Sequence, residues 1–198
     1  MILSLCGFMG CGKSTVGRNL AAFVYSDYID LDEYIEKRVG MSVKEFFALN
    51  GEAAFREEEK SALEEILKIY SGCSVVSKCT VTECAEAVPE YADCHSEHSN
   101  LVLSLGGGAP TYAPTAKLIK EKTFCVYLTA SKEALYRRLS KNNAKRPVLQ
   151  GKQGDELMAF IEELITKREN RYKEVSQMEL CSSTLNIPQL TAKLAKLF

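Results

Sequence analysis

The chain has 198 residues, slightly more than one ordinary domain and enough to bury a sizeable core. Hydrophobic residues make up 46% and charged residues 26%, the balance of a soluble globular chain, and a net charge of −1 argues against a basic nucleic-acid surface. No apolar run is long enough to span a bilayer, and Gly7 interrupts the first one before a secretory signal can be read. The expectation is a cytoplasmic monomer with small-molecule partners, no nucleic acid and no membrane.

The first apolar run, Met1 to Cys6, reads as a strand. Gly7-Phe8-Met9-Gly10-Cys11-Gly12-Lys13-Ser14 follows it and matches G-x-x-x-x-G-K-[ST], a phosphate-binding loop between a strand and a helix. Backbone N–H groups along Gly10, Cys11, Gly12, Lys13, Ser14 and Thr15 can face the phosphates of a nucleotide. Lys13 is expected to reach the β- and γ-phosphates, and the Ser14 hydroxyl to hold Mg2+. Cys11 reads as a small loop side chain or as a modifiable thiol at a helix N-terminus.

Ser14 to Val24 has the apolar spacing of a helix, with Val16, Leu20 and Phe23 on one face. Tyr28 to Asp32 reads as a short strand ending in acid. A helix to Val39 stops at Gly40, and Ser42-Val43-Lys44-Glu45 is a capping box for another short one. A long helix follows, about Glu52 to Ile69. Residues 71–100 break this rhythm. They hold four of the eight cysteines and both histidines, and read as a surface insertion. Cys94-His95-x-x-His98 is a possible metal half-site with Cys73, Cys79 or Cys84, although the spacing matches no common zinc pattern. With no export signal, the cysteines read as reduced thiols, Cys6 and Cys125 in the core.

Leu101 to Leu105 is a clear strand ending in Gly106-Gly107-Gly108. A helix around Thr115–Glu121 leads to the strand Thr123–Leu128, and Ser131 caps a helix to Ser140. The basic stretch about 141–154 reads as a mobile loop. Asp155 is the expected cap of a long helix to Val175, before a weak strand at Met178–Ser182 and a helix from Ile187 to Leu197. Strands alternating with helices imply a three-layer α/β fold: one domain over residues 1–198, with a five-stranded parallel sheet and helices on both faces. Ligands then bind at the carboxyl ends of the strands, where the loop, Asp30, Asp32 and the glycine run should meet. Asp30 is placed to hold Mg2+ and Asp32 to accept a hydrogen bond, or a proton, from an acceptor hydroxyl; either could also be a helix N-cap.

Taken in order, the phosphate loop, Asp30-x-Asp32, Phe55-Arg56 with Glu59, Gly106-Gly107-Gly108, Arg146-Pro147 and Arg168-x-x-x-Tyr172 resemble the shikimate kinase family. The resemblance spans nearly the whole chain except about residues 71–100. It implies ATP and Mg2+ as cofactors and phosphorylation of the 3-hydroxyl of shikimate, in the pathway to chorismate and aromatic amino acids. By the same resemblance Lys13, Asp32 and Arg146 carry catalysis, and Arg56 and Arg168 clamp the carboxylate of shikimate. Gly106, Gly107 and Gly108 approach its ring, Arg138 stacks on adenine, and the stretch about 141–154 is a lid whose Arg146 closes over ATP. The helical region about 32–69 becomes the acceptor-binding part. Two positions depart from a single family pattern: the Arg168–Tyr172 spacing holds but lacks the family's usual proline, so Arg171 competes with Arg168, and the Arg138–Arg146 spacing varies among members, with Arg137 adjacent to Arg138. A gluconate kinase, a nucleoside monophosphate kinase and a non-catalytic nucleotide-binding regulator are the alternatives.

Overall fold

A computed structural model describes residues 1–71, 100–141 and 152–198. The insertion with Cys73, Cys79, Cys84, Cys94, His95 and His98, and the stretch with Arg146 expected to form a lid, lie outside the described residues.

The apolar runs become a parallel sheet. Its strands are β1 (Ile2–Cys6), β2 (Asp27–Asp30), β3 (Leu101–Ser104), β4 (Phe124–Thr129) and β5 (Met178–Cys181), in the order β2-β3-β1-β4-β5. β1 is central, pairing Ser4 with Leu103 on one side and with Cys125 on the other, and every one of its residues is buried. That burial explains a continuous apolar run where a half-exposed strand would alternate. Between β3 and β4 the chain hops over β1, so the strand order switches beside β1's carboxyl end. Open parallel sheets bind ligands there.

The helices are α1 (Lys13–Phe23), α2 (Leu31–Val39), α3 (Val43–Ser71), α4 (Ala113–Lys122), α5 (Lys132–Ser140), α6 (Gly154–Val175) and α7 (Ile187–Leu194). Alternate strand residues feed two cores. Leu3, Leu5, Val126 and Leu128 pack with Val16 and Leu20 of α1, Leu135 of α5, Leu157 and Ile161 of α6 and Leu190 of α7. On the other face, Ile29, Leu101, Leu103 and Tyr127 pack with Ile35 of α2, Leu63 and Ile66 of α3, Ile119 of α4 and Tyr172 of α6. α6 thus crosses from one core to the other. Leu63 has 0% exposure, so Leu63→Ala is expected to cost about 2–5 kcal/mol, read as a lower urea midpoint.

Several boundaries differ from the sequence reading. β2 ends at Asp30, and Asp30 rather than Asp32 caps α2, its carboxylate accepting the Asp32 N–H at 3.2 Å. The two helices expected between 42 and 69 are both present: within α3, Gly51 has non-helical φ 78° and ψ 175° and separates a short helix from the long one that begins at Glu52. The Ser42–Glu45 box does form, with Glu45 accepting the Ser42 N–H at 2.9 Å. α6 starts at Gly154 with Gln153 as its cap, so Asp155 sits in the first turn, where its charge favours the helix dipole. Cys6 and Cys125 are free and buried; hydrogen bonding with Cys125, together with burial, pushes the Cys6 thiol far up. No helix among the described residues is long and apolar enough to cross a membrane.

The undescribed insertion leaves α3 at Ser71 and returns at Asn100. Tyr70 donates to Asp27 at the start of β2 (2.9 Å), and the Asn100 carbonyl accepts the Asp27 N–H (3.2 Å). Both anchors therefore lie at the amino edge of the sheet, opposite the phosphate loop.

Candidate active site

The loop after β1 is shaped by its first glycine. Gly7 has φ +140°, and a Cβ there would overlap the carbonyl oxygen of Leu128 on β4. Only glycine lets the chain leave β1 so close to β4. The Cys11 N–H donates back to Phe8 (3.1 Å), and α1 starts at Lys13 after Gly12. Lys13 Nζ lies across the loop, donating to the carbonyls of Gly7 (2.9 Å) and Phe8 (3.3 Å). The Cys11 side chain turns into the core with 0% exposure, which corrects its reading as a modifiable thiol. The loop aims its backbone outward, so this side chain points inward.

Ser14 and Asp30 meet beneath the loop, Ser14 Oγ donating to Asp30 Oδ2 at 2.8 Å. Tyr28 supports them from below, its hydroxyl 3.2 Å from Asp30 Oδ2 and 3.0 Å from Ser104 Oγ. Burial pushes the Tyr28 phenol up to about 12, so it stays a donor. A hydroxyl beside a carboxylate at a phosphate loop is the oxygen donor set that Mg2+ shares with substrate phosphates.

Asp32 projects from the first turn of α2 toward Gly106. Burial, helped by the nearby Asp30 charge and opposed by Lys13, pushes its carboxyl up to about 6. Opposite it, α3 carries Arg56 and Glu59, joined through Arg56 Nη1 and Glu59 Oε2 at 2.8 Å. Arg56 Nη2 also reaches the exposed Glu52 at 3.1 Å, and the guanidinium lies over the Phe55 ring at 5.6 Å. From α6, Arg168 Nη1 donates to the Gly107 carbonyl at 3.3 Å, and the Tyr172 hydroxyl donates to the same oxygen at 2.6 Å. Arg171 instead turns outward to Glu174, half exposed. Of the two candidates, the fold therefore brings Arg168 to the site.

The glycine run is what allows these side chains to converge. A Cβ on Gly106 would stand 2.7 Å from Asp32 Oδ1 and 2.9 Å from Glu59 Oε1. A Cβ on Gly108 would overlap Arg56 Nη2 and lie 2.8 Å from its Cζ. The sequence reading gave these glycines a backbone role toward a ligand; the structure adds that their missing side chains make room for Asp32, Glu59 and Arg56. Gly108→Ala is accordingly expected to displace Arg56 and raise the KM for the acceptor about 10-fold or more, with the KM for ATP little changed.

A cleft of about 800 Å3 joins the loop, Asp30, Asp32, Leu105 and Gly107 to Arg138, Ser182, Leu185 and the Asn186–Pro188 turn. A second hollow, about 660 Å3, has Arg56, Glu57, Thr111 and Tyr112 on its wall. Arg138 is tied down, donating to the carbonyls of Gly10 (3.1 Å), Cys11 (3.3 Å) and Ser182 (3.1 Å). Arg137 is exposed. Ser182 and the residues from Leu185 to Pro188 were not anticipated from sequence. The available signal was Asn186-x-x-Gln189, a capping box just beyond β5, because a helix start at a strand's carboxyl end faces the ligand crevice.

A family model described as shikimate kinase matches residues 9–88 and 89–197. The chain belongs to the shikimate kinase family. A shikimate kinase from Parabacteroides distasonis is 36% identical over 172 residues, covering 87% of this chain and 83% of its own. The crystal structure of shikimate kinase from Bacteroides thetaiotaomicron superposes with a TM-score of 0.79 at 32% identity, covering 100% of this chain and 97% of that one. The shikimate kinase from Acinetobacter baumannii, solved in complex with shikimate, has a TM-score of 0.76 at 28% identity and covers 99% and 91% of the two chains. The strand order and the convergence at Gly106–Gly108 thus sit in the fold of shikimate kinases.

Proposed function

We propose that this chain transfers the γ-phosphoryl group of ATP to the 3-hydroxyl of shikimate, giving shikimate 3-phosphate and ADP on the route to chorismate and the aromatic amino acids. Family membership supports the reaction class, and the shikimate complex of a relative supports the acceptor. The observation that carries it is the convergence of Asp32, Arg56 and Arg168 on the glycine run, whose Gly107 lines the same cleft as the phosphate loop.

Phosphoryl transfer needs positioning and charge neutralisation more than covalent chemistry. Lys13, released from the Gly7 and Phe8 carbonyls, neutralises the β- and γ-phosphates. Arg138 and the Leu185–Pro188 wall receive the adenine end, and Arg146 of the lid closes over the transferring group, excluding water that would compete with the acceptor. Arg56 and Arg168 present planar forks to the carboxylate. Asp32 accepts the hydrogen bond of the 3-hydroxyl and aims its oxygen at the γ-phosphorus. Ser14 and Asp30 are the oxygen donors that would hold Mg2+, which would supply positive charge to the phosphates. The proposal includes one domain with its lid and insertion, working as a monomer in a reducing cytoplasm where Cys6, Cys11 and Cys125 stay free thiols.

A coupled ADP-release assay with shikimate, gluconate and nucleoside monophosphates tests this. ADP is expected with shikimate alone. Folded protein that binds ATP and releases no ADP with shikimate would sink the proposal. A deletion variant lacking residues 73–98 is expected to keep its turnover within about 3-fold, since both anchors of that segment lie at the far edge of the sheet.

A further inference from the structure

Glu59 is buried with 0% exposure, yet only half of its carboxylate is satisfied. Oε2 accepts from Arg56 Nη1 at 2.8 Å, while Oε1 is enclosed and has no hydrogen-bond partner among the described residues. That oxygen points into the space over Gly106, into which Asp32 Oδ1 also points: the two stand 2.9 Å and 2.7 Å from where a Cβ would be. The charges around it come from several helices. Arg56 faces it from α3, with Glu52 beyond; Asp32 faces it from α2, with Glu36 and Lys13 acting on Asp32; Arg168 faces it from α6.

Arg56 is therefore the main counter-ion of a buried carboxylate and also the cation assigned to the acceptor's carboxylate. With the acceptor bound, Arg56 and Arg168 face three carboxylates, those of Glu59, Asp32 and the acceptor, and two guanidiniums do not neutralise three anions in a poorly solvated space. We infer that Glu59 is a proton-accepting positioning residue, which takes up one proton from solvent when the acceptor's carboxylate becomes the counter-ion of Arg56. The inference rests on the reading of Arg56 as part of the acceptor site.

The step forms one O–H bond on Glu59, with Oε1 the open position, and breaks one O–H or N–H bond of hydronium or a buffer acid, whose conjugate base stays in solvent. No bond of the acceptor changes. The neutral carboxyl then presents a donor on the side of Asp32 in place of a second negative charge, and Arg56 is released toward the substrate. Burial, opposed by Arg56 and reinforced by Asp32, already pushes the Glu59 carboxyl up to about 7 in the free protein. A further negative charge beside Arg56 raises it again, because Arg56 no longer offsets the burial in full. Proton uptake is thus greatest at and just above neutrality. It vanishes well below it, where Glu59 is already protonated. The charged form opposes binding, so affinity for the acceptor falls as pH rises above about 7.

The test is calorimetric titration of the whole protein with shikimate, in buffers of different ionisation enthalpy, at several pH values. For the unsubstituted protein the heat is expected to depend on the buffer, with about half a proton or more taken up near pH 7.5 and almost none near pH 5.5. Glu59→Gln keeps the shape and removes the titration. It is expected to bind with a buffer-independent heat, and its KM for shikimate should stay flat where that of the unsubstituted enzyme rises up to about 10-fold per pH unit above neutrality. Binding with equal heats in all buffers overturns the inference, as does wild-type uptake retained by folded Glu59→Gln. If that variant does not fold, the pH series on the unsubstituted protein decides, since uptake that fails to peak near neutrality also overturns it. No binding heat with shikimate at any pH would overturn the reading of the acceptor site itself, and this inference with it.

Discussion

Asp32→Asn is expected to lower kcat by about 10^2-fold or more while shikimate and ATP still bind. Asn has the same shape and can still accept a hydrogen bond, so the loss isolates the negative charge at that position. The size of the loss separates two roles. A loose transition state puts little demand on a base, so pure orientation predicts the lower end, whereas proton removal predicts losses toward about 10^4-fold. The pH profile gives an independent check. Burial and the Asp30 charge push the Asp32 carboxyl up to about 6, and the ionised form is the competent one. Activity is therefore lost as pH falls through about 6, and that acid limb should be missing from the Asn variant. Glu59 lies across Gly106 and titrates in a neighbouring range, so the apparent midpoint of the limb is set by both carboxylates, while the loss itself comes from protonating Asp32. An unchanged kcat and acid limb would remove Asp32 from the reaction.

Arg56→Ala is expected to raise the KM for shikimate about 10^2-fold and to lower turnover, with the KM for ATP nearly unchanged. A 10^2-fold change corresponds to about 2.7 kcal/mol, within the range for removing one partner of a buried charge-assisted pair. The separation of the two KM values follows from placement: Arg56 packs on Gly108 from α3, whereas the phosphate loop lies at the start of α1. An equal loss of ATP affinity would contradict the assignment. The same substitution also has a consequence for stability. It leaves the Glu59 carboxylate, with 1% side-chain exposure, without its cation. Breaking a buried pair costs about 3–5 kcal/mol if the remaining charge is kept. Glu59 escapes part of that by holding a proton. Its folded value is raised above its unfolded one, so the stabilising protonation is present at low pH and is lost as pH rises through the folded value. The Tm difference between Arg56→Ala and the unsubstituted protein should accordingly widen from pH 6 to pH 8. Arg56→Lys is expected to restore part of the stability but little of the acceptor affinity, because an ammonium cannot present a planar fork to both Glu59 and a substrate carboxylate.

Much of the site was legible because its signals are local. A phosphate loop needs its glycines and lysine at fixed spacing, and a strand–loop–helix context can be read from a few apolar residues on either side. Asp30 and Asp32 stand at a strand end, and Arg56 and Glu59 stand three apart on a helix, so each pair is near in space whatever the rest of the chain does. The choice between Arg168 and Arg171 was of another kind. Both lie on α6, and only the packing of Tyr172 into the core, with its hydroxyl 2.6 Å from the Gly107 carbonyl, decides which guanidinium faces the glycine run. The wall from Ser182 to Pro188 was missed for the same reason. It comes from the far end of the chain and meets the loop because β5 pairs with β4.

By itself, then, the sequence determined the phosphate-loop pattern and the parallel order of strands and helices, since these follow from short-range spacing and hydrophobic period, while the proposed acceptor residues were named through the family resemblance. Which Asp caps α2, where the Cys11 thiol points, and how three glycines make room for Asp32, Glu59 and Arg56 were decided only in the tertiary structure. They depend on distances of 2–3 Å between segments far apart in the chain, and no local pattern encodes a distance across a sheet.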